Sequence, residues 1–287
     1  MIIEEFISTI YPKDLLTLNI KEEDKHLADS YYENAKTDAI FAFESIKNYL
    51  SYNNKILEVG GGLHFLSNYL SYKGYQLTSL EPSGFTDYID TMRKNVLNIN
   101  ISKKNSIMSI TLEDYSDNYP KKKFDFIFSI NVLEHTKNIS IHIEKSLNIL
   151  SNNGIILIRC PNYTLPFESH FYKFFIPFFP EFTFKNLLKK KLIKNLGEKN
   201  YYDLINNINF KCSYFNIKKN FSNLKFVNPL KEIFNRLETD ILFRKRIFNN
   251  SFIKYFYLFI SFLKIKNLLI KFFPIFWNPY LIIEIKK

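Results

Sequence analysis

Cysteine is scarce: Cys160 and Cys212 are the only two in 287 residues. Two thiols in a chain of this length give no sign of a disulfide framework and fit a reducing compartment. Long apolar runs are also missing. The most apolar stretch, Tyr255 to Leu263, is closed off by Lys254 and Lys264, well short of the roughly 18 apolar residues a membrane-spanning helix needs. The first ten residues carry Glu4 and Glu5 where a secretory leader would be basic, so a signal peptide is not expected. The expected location is cytoplasmic, with peripheral attachment at the inner membrane face left open. Arginine is rare as well, five of 39 basic residues. Together with abundant Asn, Ile, Phe and Tyr, this lysine dominance fits nucleotide bias in the gene as readily as selection for an anionic partner.

The composition that remains supports a packed core, with 46% hydrophobic residues. Charge is unevenly spread. Residues 1 to 160 hold 17 Lys and Arg against 20 Asp and Glu, whereas 161 to 287 hold 22 against 8. The basicity therefore belongs to the C-terminal part.

Residues 27 to 50 space their apolar side chains by three and four, as an amphipathic helix does, and one or two helices are expected before any sheet. Short apolar runs at 55–59, 76–81, 106–110, 124–130 and 154–160 then alternate with helical stretches, the signature of βαβ units and a mostly parallel sheet. Past Pro161 the rhythm breaks. Four prolines, 161, 166, 177 and 180, fall in an aromatic-rich segment that is neither a long helix nor a central strand. Further on, a helix is expected at 198–208, a strand at 211–217, helices from 229 to 273 and a last strand at 280–286. The expected organisation is an N-terminal helical cap at 1–50, a core at 51–160, and a substrate loop, helical insert and closing strands of the same domain at 161–287.

Seven glycines occur, and three are consecutive: Gly60, Gly61 and Gly62, directly after the strand Lys55 to Val59. Glycine lets a backbone turn sharply and lets a ligand approach its N–H groups, and a helix is expected to begin near His64. A dinucleotide fingerprint would need a further glycine at 65, where Phe65 stands, and no Gly-Lys-Ser/Thr follows to make a phosphate loop. The remaining pattern, Glu58-Val59-Gly60-Gly61-Gly62, resembles the opening motif of class I S-adenosylmethionine-dependent methyltransferases of the bacterial small-molecule and glycan type. Glu81-Pro82-Ser83 at the end of the second strand, and Phe124 to His135, resemble further segments of that family. The resemblance is good over residues 30 to 160 and moderate over the closing strand. It implies a doubly wound α/β fold, a mostly parallel seven-stranded Rossmann-like sheet with a helical C-terminal insert. It also implies S-adenosylmethionine as cofactor, held by Glu58, Gly60, Gly61, Gly62, Glu81, Glu113, Asn131 and Val132. Glu81 would accept from the ribose hydroxyls, and Glu113 would stand near the adenine.

Methyl transfer from a sulfonium asks the protein mainly for alignment and water exclusion, and needs no metal. A hydroxyl acceptor gains from a general base. His170 with Glu168, and His135 after Glu134, are the candidates. Methylation of a nucleobase amine is disfavoured, because Asn131-Val132-Leu133 lacks the Asp/Asn-Pro-Pro-aromatic sequence it requires. The expected acceptor is a sugar, a glycan precursor or another small polar molecule. The alternatives are a non-catalytic cofactor-binding protein at a membrane, and an RNA methyltransferase. Residues 245–273 carry Phe248, Phe252, Phe256, Phe259 and Leu263 at helical spacing among lysines, a pattern open to peripheral membrane contact. Nucleic-acid binding through the Lys-rich run 185–194 is disfavoured, since charge runs are usually solvated faces.

Overall fold

The computed structural model describes residues 1–84, 86–99, 105–168, 173–248 and 251–287. Helices α1 (Ile3–Ile10), α2 (Lys13–Leu16) and α3 (Lys25–Ile46) precede the first strand. Then β1 (Lys55–Val59), α4 (Phe65–Tyr72), β2 (Gln76–Leu80), α5 (Asp87–Asn98), β3 (Asn105–Met108), α6 (Leu112–Asn118), β4 (Phe124–Ile130), α7 (Ile139–Asn148) and β5 (Leu150–Pro161) alternate. Side chains set the helix starts. Thr86 accepts from the N–H of Ile89, Thr111 from Asp114, and Asn138 from Ser140 and Ile141, each satisfying a backbone donor that the first helical turn leaves without a partner.

Beyond β5 come the two-residue strands β6 (Phe167–Glu168) and β7 (Lys173–Phe174), which pair antiparallel, and α8 (Pro180–Phe182). Helices α9 (Lys189–Leu196), α10 (Glu198–Asn206) and α11 (Tyr214–Asn220) follow, and then β8 (Lys225–Val227). Four further helices, α12 (Leu230–Thr239), α13 (Ile241–Phe248), α14 (Ser251–Phe262) and α15 (Lys266–Phe272), lead to β9 (Tyr280–Lys286). The strand expected at 211–217 is an error. Ser213 caps a helix there, accepting from the N–H of Asn216, and over so short a run the apolar spacing of Phe210, Cys212, Tyr214 and Ile217 fits either period. The strand that pairs with β9 is β8, with Phe226 opposite Ile283.

The seven-stranded sheet has the order β3-β2-β1-β4-β5-β9-β8. The pairs β1–β2, β1–β4 and β2–β3 are parallel, with Glu58 opposite both Ser79 and Phe128. This is the doubly wound mostly parallel α/β fold. The chain runs outward from β1 to β3, then returns to place β4 on the other side of β1. Such a reversal opens a crevice at the carboxyl ends of the two strands, where ligands bind in folds of this class.

The chain divides into two compact units. One comprises 1–133, 138–158 and 285–287; the other 134–137 and 159–284. In the first, α1 buries Phe6 against Tyr69 of α4, ring centres 5.4 Å apart, and Tyr32 of α3 donates its hydroxyl to the carbonyl of Tyr11. In the second, Phe184 stacks on Phe210 and Tyr163 leans on the same ring. A separate cluster of Phe234, Leu237 and Ile260 joins α12 to α14. No helix among the described residues is long and apolar enough to cross a membrane.

Candidate functional site

The loop after β1 is fixed from several sides. The N–H groups of Gly60 and Gly61 both donate to the carbonyl of Leu80 at the end of β2, at 2.8 and 3.1 Å. Gly60 has φ +83°, and a Cβ there would lie 2.1 Å from a methyl of Val132. A Cβ on Gly61 would lie 2.3 Å from Ser79 Oγ and 2.5 Å from His64 Nδ1. Two of the three glycines are thus required by close packing, and Gly62, at φ +55°, by a backbone conformation that side chains resist. Gly62 differs in its surroundings. A Cβ there would meet no described atom within 4 Å, so the loop is open at that point.

Glu81 faces the opening from β2. Its Oε2 accepts the Gly62 N–H at 2.9 Å, and its Oε1 accepts from Arg93 Nη2 at 2.7 Å. Arg93, from α5, also donates to the carbonyls of Gly62 and Pro82, at 3.0 and 2.9 Å, and pairs with Asp90. One guanidinium therefore ties the glycine loop, the β2 terminus and the acid together, a task its planar fork suits. Burial pushes the Glu81 carboxyl up, opposed by Arg93 and the Gly62 N–H. Each oxygen has accepted one bond and retains capacity for another. Tyr31 of α3 feels both charges, and burial raises its hydroxyl to about 12.

Beneath the loop lies a second polar cluster. Ser79 Oγ donates to Glu58 Oε2 at 2.6 Å and sits 3.0 Å from His64 Nδ1. Glu58 is pushed up to about 7, chiefly by burial, with hydrogen bonds from Ser79 and Ser67 opposing. His64, which begins α4 at φ 59°, is lowered to about 3 by burial and then by Arg93. The structure thus engages Glu58 in bracing the loop from below.

At the end of β4, Ser129 is buried, and its hydroxyl has no hydrogen-bond partner among the described residues. Asn131 follows at φ 57°, and Val132 closes on Gly60. Glu113 is directed elsewhere: its carboxylate lies 3.0 Å from Nδ1 of the buried His142, joining α6 to α7. That contact gives no support to its expected place beside an adenine. An uncommitted buried hydroxyl, an open glycine loop and a carboxylate with spare acceptor capacity fit a ligand rich in polar groups, such as the ribose hydroxyls and the ammonium and carboxylate of S-adenosylmethionine.

The base candidates lie in the second unit. His135 Nδ1 is 3.0 Å from the carbonyl of Asn207, and its Nε2 is 4.0 Å from Glu134. Asn209 anchors the same turn, donating its backbone N–H to the carbonyl of Glu134 and its side-chain amide to that of Thr136. Glu168 is fully buried and accepts from the Tyr163 hydroxyl at 3.2 Å. His170 lies outside the described residues.

Sequence reasoning missed Arg93, Ser79, His64 and Ser129. For Arg93 a signal existed: it is the only arginine before residue 159 in a chain that otherwise uses lysine. No comparable signal marks the two serines, whose roles depend on register.

A family model described as methyltransferase domain matches residues 22–219. An uncharacterized protein of Mycobacterium tuberculosis (strain ATCC 25618 / H37Rv) is 31% identical over 116 residues, covering 40% of this chain and 39% of that protein. Ubiquinone biosynthesis O-methyltransferase of Pelagibacter ubique (strain HTCC1062) is 30% identical over 118 residues, covering 39% of this chain and 44% of that protein. The chain thus spans about two fifths of the length of the curated relatives it matches. The solved structure of the plantazolicin methyltransferase BpumL in complex with SAH aligns with 99% of this chain and 98% of that one, at 16% identity and a TM-score of 0.48. With the family model running from α3 through α11, across the glycine loop, the Glu81 acid and the β4 terminus, the chain belongs to the class I S-adenosylmethionine-dependent methyltransferases.

Proposed function

We propose that the protein transfers a methyl group to a hydroxyl of a sugar, a glycan precursor or another small polar acceptor, with His135 as general base. The observation that carries this reading is the contact between His135 Nδ1 and the Asn207 carbonyl. A carbonyl can only accept, so Nδ1 holds the proton and Nε2 is the basic nitrogen. His135 follows Val132, the residue against Gly60, with only Leu133 and Glu134 between them in the chain.

When bound, S-adenosylmethionine supplies a methyl group already activated by its sulfonium. Gly62, Glu81 and Ser129 would hold it, and Arg93 keeps Glu81 in place. As the acceptor oxygen takes the methyl group, its proton passes to His135 Nε2. The name of the Pelagibacter relative, an O-methyltransferase, supports an oxygen acceptor.

Calorimetry with S-adenosylmethionine, its demethylated product and NADH tests the cofactor site. Micromolar binding of the first two, lost in Glu81→Ala, is expected, whereas preference for NADH would sink the reading. An acceptor screen with labelled methyl donor then tests the chemistry. His135→Gln should lower turnover about 100-fold while leaving cofactor affinity within twofold. Undiminished turnover in that variant, with loss in His170→Gln, would move the base to His170.

A further inference from the structure

The helical segment after α12 is built asymmetrically in charge. From Ile241 to Ile283 there is no Asp or Glu, while Arg244, Lys245, Arg246, Lys254, Lys264, Lys266 and Lys271 all fall inside it. Nearby acids are committed. Glu238 pairs with Lys266 at 2.6 Å, Asp240 with Arg236 at 3.0 Å, and Glu284 with Lys225 at 2.9 Å. Lys254, Lys264 and Lys271 have no carboxylate partner among the described residues, and all three are exposed.

Helix α14 is apolar on two opposite sides. Tyr257 and Ile260 face inward, packed with Phe234, Leu237 and Phe248. A hundred degrees per residue places Tyr255, Leu258, Phe259 and Phe262 in one stripe on the far side, and they are exposed at 66, 47, 56 and 82%. The internal cluster is thus satisfied by one face, and the second face has no role in holding the unit together. Phe248, part of the pattern the sequence offered for a membrane, ends α13 and packs on the inward-facing Tyr257. Trp277 is 60% exposed and is the only tryptophan in the chain, so its emission reports on contact between this unit and a bilayer.

We infer that the outer face of α14, together with the exposed Lys254, Lys264 and Lys271 of the same acid-free stretch, docks on an anionic lipid bilayer, burying Phe259 and Phe262 at the boundary between headgroups and acyl chains. Apolar rings flanked by unpaired cations with no acid among them match that interface in both polarity and charge. A polyanion such as nucleic acid would satisfy the lysines but leave the aliphatic and aromatic stripe in water. The inference does not depend on catalysis. It would, however, give an acceptor carried on a lipid a direct route to the protein.

The test uses the full chain and vesicles of phosphatidylcholine with and without phosphatidylglycerol, read by co-sedimentation and by Trp277 emission. Retention on the anionic vesicles alone, with emission moving to the blue, is expected. Substituting Lys254, Lys264 and Lys271 by Gln should weaken partitioning about 100-fold. Phe259→Ser with Phe262→Ser should remove the inserted stripe and lower retention at least tenfold. Absence of native binding to anionic vesicles would overturn the inference without any variant having to fold. Retention of the triple lysine variant equal to the native would overturn it too, as would a stable dimer that the double Phe variant dissociates, or binding to single-stranded RNA in preference to vesicles.

Discussion

Glu58, His64, Glu81 and Arg93 are each 8% exposed or less and answer one another within a few ångströms, whereas Lys254, Lys264, Lys271 and the rings beside them stand open to solvent. The first group lies in the unit that holds the β1 loop, the second in the unit made of 134–137 and 159–284. Buried charge is tolerated only when paired and hydrogen-bonded, so every member of the first group constrains its neighbours. The exposed group constrains nothing inside its own unit. The contrast separates residues that shape a site for one small ligand from residues that can meet a broad surface.

The sharpest way to break the comparison is Gly60→Ala. Its new methyl would lie 2.1 Å from Val132 at a φ of +83°, so the loop and the β4 terminus must part. Loss of S-adenosylmethionine binding by at least about 100-fold is expected in calorimetry. Affinity within threefold of native would mean that the loop is not shaped by Val132. Arg93 comes next. Arg93→Ala leaves Glu81 buried with one partner fewer and should cost about 3–5 kcal/mol of stability. Arg93→Lys keeps the charge but loses the fork that reaches two carbonyls and the acid at once. It should weaken cofactor binding about tenfold, in calorimetry, with acceptor KM unchanged.

The glycine loop, the Glu81 acid and the β4 strand could be read in the sequence because each follows a buried strand whose apolar run marks its end. Gly60 to Gly62 are conspicuous in a chain with seven glycines. The brace beneath the loop could not be read. Ser79 meets Glu58 only because β2 pairs with β1 in the register that sets them opposite, and register is a tertiary fact. The Glu113 contact is hidden for a related reason: spacing along the chain does not show that Glu113 on α6 meets His142 on α7. In the C-terminal unit, apolar residues recur on both sides of α14, so periodicity could not tell the buried side from the open one.

The brace has a pH signature. Glu58 rises from 4.5 to about 7 in the folded chain, so its contribution to stability is full below 4.5 and is lost as pH rises toward 7. His64 falls from 6.5 to about 3, so its contribution is full above 6.5 and is lost as pH falls toward 3. Between pH 4.5 and 6.5 the two slopes oppose each other, each at most about 1.4 kcal/mol per pH unit. Native stability from this pair is therefore nearly flat there. Glu58→Gln should expose a rise in melting temperature with pH across that window. His64→Asn, which tolerates the left-handed backbone at this position, should expose a fall. Parallel profiles for native and both variants would show that burial does not shift the two groups in opposite directions.

The smallest expected effect lies on the other side of the comparison. Phe128, in β4, is 1% exposed, and Phe262, at the end of α14, is 82% exposed. Phe128→Ala removes a buried ring and should cost about 3–5 kcal/mol in urea unfolding. The same substitution at Phe262 removes a ring already in water and should change stability by less than about 0.5 kcal/mol. A loss of several kcal/mol at Phe262 would show that its ring is packed within the folded chain, and α14 would then have no outer face to offer a membrane. A neutral result leaves the ring available, because a side chain that contributes nothing to folding can be buried against lipid at no cost to the fold.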